Sequence, residues 1–315
     1  MAATGIPVPF TRRRLLIGGA ALAMAGAGAP EVAATAASVS SAVPLTRIIP
    51  SSGVAVPAVG LGSWITFNVG GDEQLLRDCA AVMKAFFEAG GRMIDSSPMY
   101  GSSQATIGFG LARLKRQDAV FAADKVWTQG DGAMQLDQSA RHWGLGRFDL
   151  LQVHNLVDWQ RHLPMLREMK QAGQLGHVGI TTSQGRRHDE FERVMATQAL
   201  DCVQLTYNPV DREAEARLLP LAAERGLAVI VNRPFRRGAL TRRLEGEPLP
   251  GWAAEIGAAT WAQAILKFIL SHPAVTVAIP ATTRPAHARE NVAAATGPLP
   301  DRALRERIAA HIRDL

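Results

Sequence analysis

The chain has 315 residues, and its 34 Lys and Arg against 28 Asp and Glu leave a formal charge of +6. That surplus does not make a nucleic-acid surface, because part of it sits in the N-terminal segment and the rest is interleaved with acids on helix faces, as on an ordinary solvated surface. Two cysteines, Cys79 and Cys202, exclude a fold resting on a disulfide framework and read as small buried hydrophobes.

The first 43 residues form a segment separate from the fold. Arg12, Arg13 and Arg14 directly precede an apolar, Gly/Ala-rich run from Leu15 to Ala29, and Ala34-Thr35-Ala36 offers a small-x-small cleavage site. This is the pattern of a twin-arginine (Tat) export signal followed by a flexible linker. The run is shorter than the roughly 20 residues of a membrane span and only weakly hydrophobic, so stable membrane anchoring is not expected. The Tat machinery exports folded proteins, so the Tat apparatus is an expected partner and the periplasm the expected destination.

Residues 44–315 are enough for one large core or two small ones, and their repeating pattern favours one. Short apolar runs recur at 58–62, 92–95, 120–125, 150–154, 177–181, 202–206, 228–231 and 275–279, with helix-like segments between them. Eight near-continuously apolar strands alternating with helices predict an α/β fold, a single-domain (β/α)8 TIM barrel.

Three of these runs end on polar groups. The second stops at Asp95 and opens into Ser96-Ser97-Pro98-Met99-Tyr100-Gly101; the third ends on Lys125 and the fourth on His154. Parallel barrel strands aim their C-terminal ends at one mouth, so the four groups are expected to meet there. Arg233 and Arg237 follow the seventh strand at the same mouth, where they are suited to phosphate groups. Gly60-Leu61-Gly62 lacks the third glycine of a dinucleotide-binding turn, so a Rossmann site is not supported. Near the C-terminus, Ile279 to Asn291 reads as the last strand, a turn, and a helix with Pro285 at its start, whose free N–H groups favour an anion. The end of the chain, Leu304 to Leu315, is amphipathic and predicts a helix packed on the barrel.

In order, context and approximate spacing, Asp95, Tyr100, Lys125 and His154 match the strand-end tetrad of the aldo-keto reductase family, which the chain resembles from about Pro44 to Leu315. The resemblance implies an oxidoreductase that delivers a hydride from a nicotinamide to an aldehyde or ketone. Tyr100 would then give the proton, its pKa lowered by Lys125; Asp95 would hold Lys125, and His154 would orient the carbonyl oxygen.

The resemblance also implies cofactor contacts. Gly62 and Ser63 fall where the backbone approaches the nicotinamide ribose, and Gln204 where a carboxamide is held. Thr181 and Thr182 stand where relatives have Ser-Asn, and Asn232 where relatives have an aromatic that stacks on the nicotinamide. Glu290 and Asn291 fall at the adenine, with Thr282 in the same binding loop. Ala281 and His287 replace two cations expected at a 2′-phosphate, leaving Arg284 to take that role. NADPH is the expected coenzyme, with NADH the alternative. Trp64, Met99 and Trp127 are expected to line an apolar, aromatic substrate pocket, and a monomer is expected. A cofactor-binding regulatory or sensor barrel with little turnover is the competing reading. A hydrolase is disfavoured by the lack of a Gly-x-Ser-x-Gly elbow or a His-Glu-x-x-His helix.

Overall fold

The structure, a computed structural model, describes residues 43–315; the proposed export signal lies outside the described residues. The chain opens with an antiparallel hairpin, β1 (Thr46–Ile48) and β2 (Ala55–Pro57). Eight parallel strands follow: β3 (Leu61–Gly62), β4 (Met93–Asp95), β5 (Phe121–Val126), β6 (Phe148–Val153), β7 (Leu175–Thr181), β8 (Cys202–Thr206), β9 (Ala228–Asn232) and β10 (Val275–Ala278). Each pairs with its sequence neighbours. The first and last are joined by parallel bridges Val59 to Ala278 and Gly62 to Ala281, so the sheet closes on itself as the expected (β/α)8 barrel.

The strands β4, β5 and β8 are buried along their whole length, which requires apolar cover on both faces. The inner face supplies one core: Met93, Phe121, Ala123, Leu150, Cys202, Ala228, Ile230, Val277 and Ile279. Ile49 and Val56 of the N-terminal hairpin join that cluster and plug the barrel. The hairpin was not expected from the sequence. Its turn is held by Ser52, whose hydroxyl meets the His177 imidazole at 2.8 Å, and Arg47 donates to the carbonyls of Leu270 and Val275.

The outer core lies between the strands and the surrounding helices, among them α1 (Glu73–Glu88), α2 (Ser103–Leu114), α3 (Gly132–Trp143) and α4 (Trp159–Gln171). Asp72 and Asp131 accept backbone N–H groups at the starts of α1 and α3, supplying partners for otherwise free donors. The remaining helices run from α5 (His188–Thr197), α6 (Leu218–Glu224), α7 (Ala239–Arg243), α8 (Trp252–Glu255) and α9 (Trp261–Leu270) to α10 (Pro285–Ala293) and α11 (Arg302–Asp314). The last buries Leu304, Ile308, Ala309 and Ile312, as its amphipathic sequence predicts. Cys79 and Cys202 are buried and unpaired. No helix among the described residues is long and apolar enough to cross a membrane.

Candidate active site

Strand ends β4, β5 and β6 carry the four polar groups to one place. Lys125 is fully buried, and its ammonium donates to Asp95 Oδ1 at 2.5 Å and to the Ser96 carbonyl at 2.7 Å. The other Asp95 oxygen accepts from Gln204 Nε2 at 2.8 Å, with Gln152 Nε2 at 3.4 Å. The Lys125 ammonium also sits 5.3 Å from the centre of the Tyr100 ring. A short 3-10 turn, Pro98–Tyr100, brings Tyr100 over this pair. The Tyr100 and His154 rings meet edge to face, 5.6 Å apart at 88°.

The charges follow from this packing. Burial alone would lower the Lys125 ammonium, but the carboxylate of Asp95, and then Tyr100, outweigh it and hold it above its ordinary value. Burial pushes the Tyr100 phenol up, and the opposing charge of Lys125 offsets only part of that. The expectation of a lowered phenol is therefore corrected: desolvation wins, and Tyr100 stays a protonated acid. His154 is held well below its usual range by burial, and then by the charges of Lys125 and Arg186, so its imidazole is neutral. On the opposite face of β5, burial pushes Asp124 up to about 7. Its carboxyl accepts from Gln104, Trp143 and the Lys125 backbone, fixing the strand beside Lys125.

Tyr100, His154 and Asp95 line a cavity of about 640 Å³ at the mouth, as do Gly62, Ser63, Trp64, Met99, Thr181, Gln204 and Asn232. Arg233, Arg237, Thr282, Arg284 and His287 line it too, together with Asn155 and Arg186, which the sequence did not single out. Arg284 stands at the N-cap of α10, with Pro285 in its first turn. Arg237 reaches across the mouth and stacks on the Trp64 ring, 4.0 Å from its centre. Arg233 adopts the left-handed conformation at φ 51 and keeps a buried Nε without a hydrogen-bond partner among the described residues.

Several expected contacts are different in the fold. Gly62 has a packing reason to be glycine: a Cβ there would lie 2.8 Å from the Ile279 carbonyl in the closing seam. Ser63 donates to the Asp95 carbonyl and Thr181 accepts from Asn155 N, so both hydroxyls brace the site. Gln204 donates one of its amide N–H groups to Asp95. Asn232, which stands where the resemblance places a stacking aromatic in relatives, accepts from Thr206 at 2.6 Å and donates to the Thr182 carbonyl at 2.9 Å, forming a polar bridge.

Four of the expected cofactor and pocket residues do not line this cavity. Thr182 is buried with its hydroxyl on the Arg186 carbonyl. Trp127 is 40% exposed and does not line the cavity, its backbone being tied to the Gln135 side chain at both N and O. Glu290 accepts from Thr260 at the N-cap of α9, and Asn291 is buried in α10; neither lines the cavity. Among the described residues no cluster of His, Cys, Asp or Glu is arranged to hold a metal.

A closed parallel barrel with a buried Lys–Asp pair beneath a tyrosine and a histidine, at the C-terminal mouth, defines a barrel enzyme. The model of the aldo/keto reductase family matches residues 58–311. The chain belongs to the aldo/keto reductase family.

Its relatives are distant. It is 24% identical over 218 residues to an aldo-keto reductase of Bacillus subtilis, covering 63% of this chain and 64% of that protein. It is 26% identical over 328 residues to the pyridoxal 4-dehydrogenase of Microbacterium luteolum, covering 81% and 94%. It is 24% identical over 238 residues to the NADH-specific methylglyoxal reductase of Escherichia coli, covering 64% and 70%. An aldo-keto reductase of Klebsiella pneumoniae, solved in complex with NADPH, superposes with a TM-score of 0.71 at 21% identity, covering 86% of this chain and 95% of that one.

Proposed function

We propose that this chain reduces an aldehyde or ketone to the alcohol with a reduced nicotinamide coenzyme, NADPH in preference to NADH. The observation that carries the reading is the buried Lys125–Asp95 pair directly under Tyr100, with a neutral His154 on the rim of the same cavity. The cavity suits a phosphate-bearing coenzyme: Arg233, Arg237 and Arg284 line it, none has a carboxylate partner within salt-bridge distance among the described residues, and the buried Nε of Arg233 is a donor awaiting an acceptor. When bound, the reduced nicotinamide supplies a hydride to the carbonyl carbon.

The rest is the work of the chain. Tyr100 gives its phenolic proton to the carbonyl oxygen, and the Lys125 ammonium stabilises the phenolate left behind. Asp95 keeps Lys125 charged in a site where burial would otherwise neutralise it. His154, neutral and facing the cavity, donates to the same oxygen as charge builds on it. Trp64 and Met99 give the pocket an apolar wall that suits a substrate with a flat or apolar body. A titration of the mature protein with NADPH and NADH, followed by turnover with nitrobenzaldehydes, tests this. Tight coenzyme binding without turnover would instead support a regulatory barrel, a reading favoured by the polar bridge of Asn232 in place of a stacking ring.

Coenzyme choice rests on Arg284. A charge-assisted bond to a phosphate contributes about 1.5–3 kcal/mol, so Arg284→Ala is expected to weaken NADPH binding by roughly ten- to a hundredfold and leave NADH nearly unchanged. Equal weakening of both would mean that Arg284 serves the shared pyrophosphate or the loop. The relatives do not decide the preference, since the Escherichia coli protein is named for NADH and the Klebsiella pneumoniae structure holds NADPH.

The N-terminal arginines support export of the folded enzyme by the Tat route, to the periplasm. Changing Arg12 and Arg13 together to Lys is expected to leave active protein in the cytoplasm; continued export, or fractionation with membranes, would point to another route or an anchor.

A further inference from the structure

Hydrogen accounting around one buried hydroxyl assigns a role beyond the tetrad. Ser97 is fully buried, and its Oγ lies 2.7 Å from His154 Nδ1. The same Oγ accepts the Met99 backbone N–H at 3.2 Å. Among the described residues, Met99 N and His154 Nδ1 are its only hydrogen-bond partners. If Nδ1 carried the imidazole proton, Ser97 would receive two donors and its own O–H, on a side chain with no solvent exposure, would have no acceptor. A buried donor left without a partner is disfavoured. In the opposite arrangement every group is satisfied: Met99 N–H donates to Oγ, and the Ser97 O–H donates to an unprotonated Nδ1. The proton of the neutral ring then sits on Nε2.

We propose that Ser97 is a positioning residue that locks His154 in its Nε2–H form, leaving that N–H as the donor to the substrate's carbonyl oxygen. The inference rests on the carbonyl-reduction reading for its consequence, but not for the tautomer itself. It also explains why a serine, two positions beyond Asp95, sits at the start of the turn that carries Tyr100: one hydroxyl sets the turn through Met99 N and the acid–base state of His154 through Nδ1. The low proton affinity of His154 agrees with this, because a hydroxyl donating to Nδ1 favours the neutral ring.

The test uses the full mature chain with 15N-labelled histidine, with the His154 ring assigned through His154→Gln. Long-range proton–nitrogen correlation reads the tautomer without any substrate, so it remains informative even if the protein reduces no carbonyl. The wild type is expected to show a pyrrole-like Nε2 and a pyridine-like Nδ1. Ser97→Ala is expected to mix the two tautomers and to lower kcat by about three- to tenfold, with little change in coenzyme affinity. Ser97→Thr, which keeps the hydroxyl, is expected to restore both. An Nδ1–H ring in the wild type would overturn the proposal, as would an Ser97→Ala protein that keeps a pure Nε2–H ring, whatever its kcat. Loss of kcat with an unchanged tautomer would assign Ser97 to the turn alone.

Discussion

Tyr100→Phe is expected to reduce carbonyl turnover by about a hundredfold or more while leaving coenzyme affinity nearly unchanged. The substitution keeps the ring that meets His154 edge to face and faces the Lys125 ammonium, so packing is preserved and only the proton donor is lost. Because burial holds the phenol above its ordinary value, the lost group is a proton carrier throughout the neutral range. Steady-state kinetics with a nitrobenzaldehyde and a parallel coenzyme titration separate the two effects. Near-native turnover in this variant would remove Tyr100 from the mechanism.

Lys125→Met should damage both activity and stability, and the two losses are separable. The Lys125–Asp95 pair is buried on both sides, 0% and 2% exposed, and Asp95 would be left charged without its cation. Breaking a buried pair from one side typically costs about 3–5 kcal/mol. For a chain of this size that corresponds to a melting temperature lower by on the order of 10 °C. Gln204 and Gln152 still donate to Asp95 and cushion the loss in part. The double variant Lys125→Met with Asp95→Asn removes the stranded charge and is expected to regain most of the stability while turnover stays depressed at least a hundredfold. A double variant as unstable as the single one would show that the cost lies in packing around the lysine stem. Native turnover in either would exclude Lys125 from catalysis.

What could be read in the sequence was whatever depends on a strand and its end. Each barrel strand is a short apolar run, and Asp95, Lys125 and His154 each break such a run where the strand leaves the core, so the tetrad could be assembled from local pattern and parallel topology. The hairpin β1–β2 escaped because Thr46-Arg47-Ile48 and Ala55-Val56-Pro57 are too short to show a period, and few of its residues are buried, Ile49 and Val56 in the inner core among them.

Trp127 does not line the cavity, for a related reason. It follows Lys125 closely, but the strand ends at Val126 and the Trp127 backbone is held by the Gln135 side chain of α3. The amide and hydroxyl partners of the site, Gln204 on Asp95, Thr206 on Asn232 and Glu290 on Thr260, join residues 26 to 109 positions apart. Nothing local marks such pairings. The pKa of Tyr100 shows the same limit: the sequence names the charged neighbour, but only the fold reveals how much water has been removed.

The seam of the barrel has a consequence for how the enzyme is made. The tetrad comes from the first half of the chain, yet Gly62 and Ile279, which meet in the seam, both line the cavity. During synthesis from the N-terminus, the acid–base residues emerge long before the strand that closes the wall beside them. A ribosome-bound chain that ends before Val275 has its chemical groups but lacks the strand that closes the chamber, so coenzyme capture is expected only after β10 has emerged.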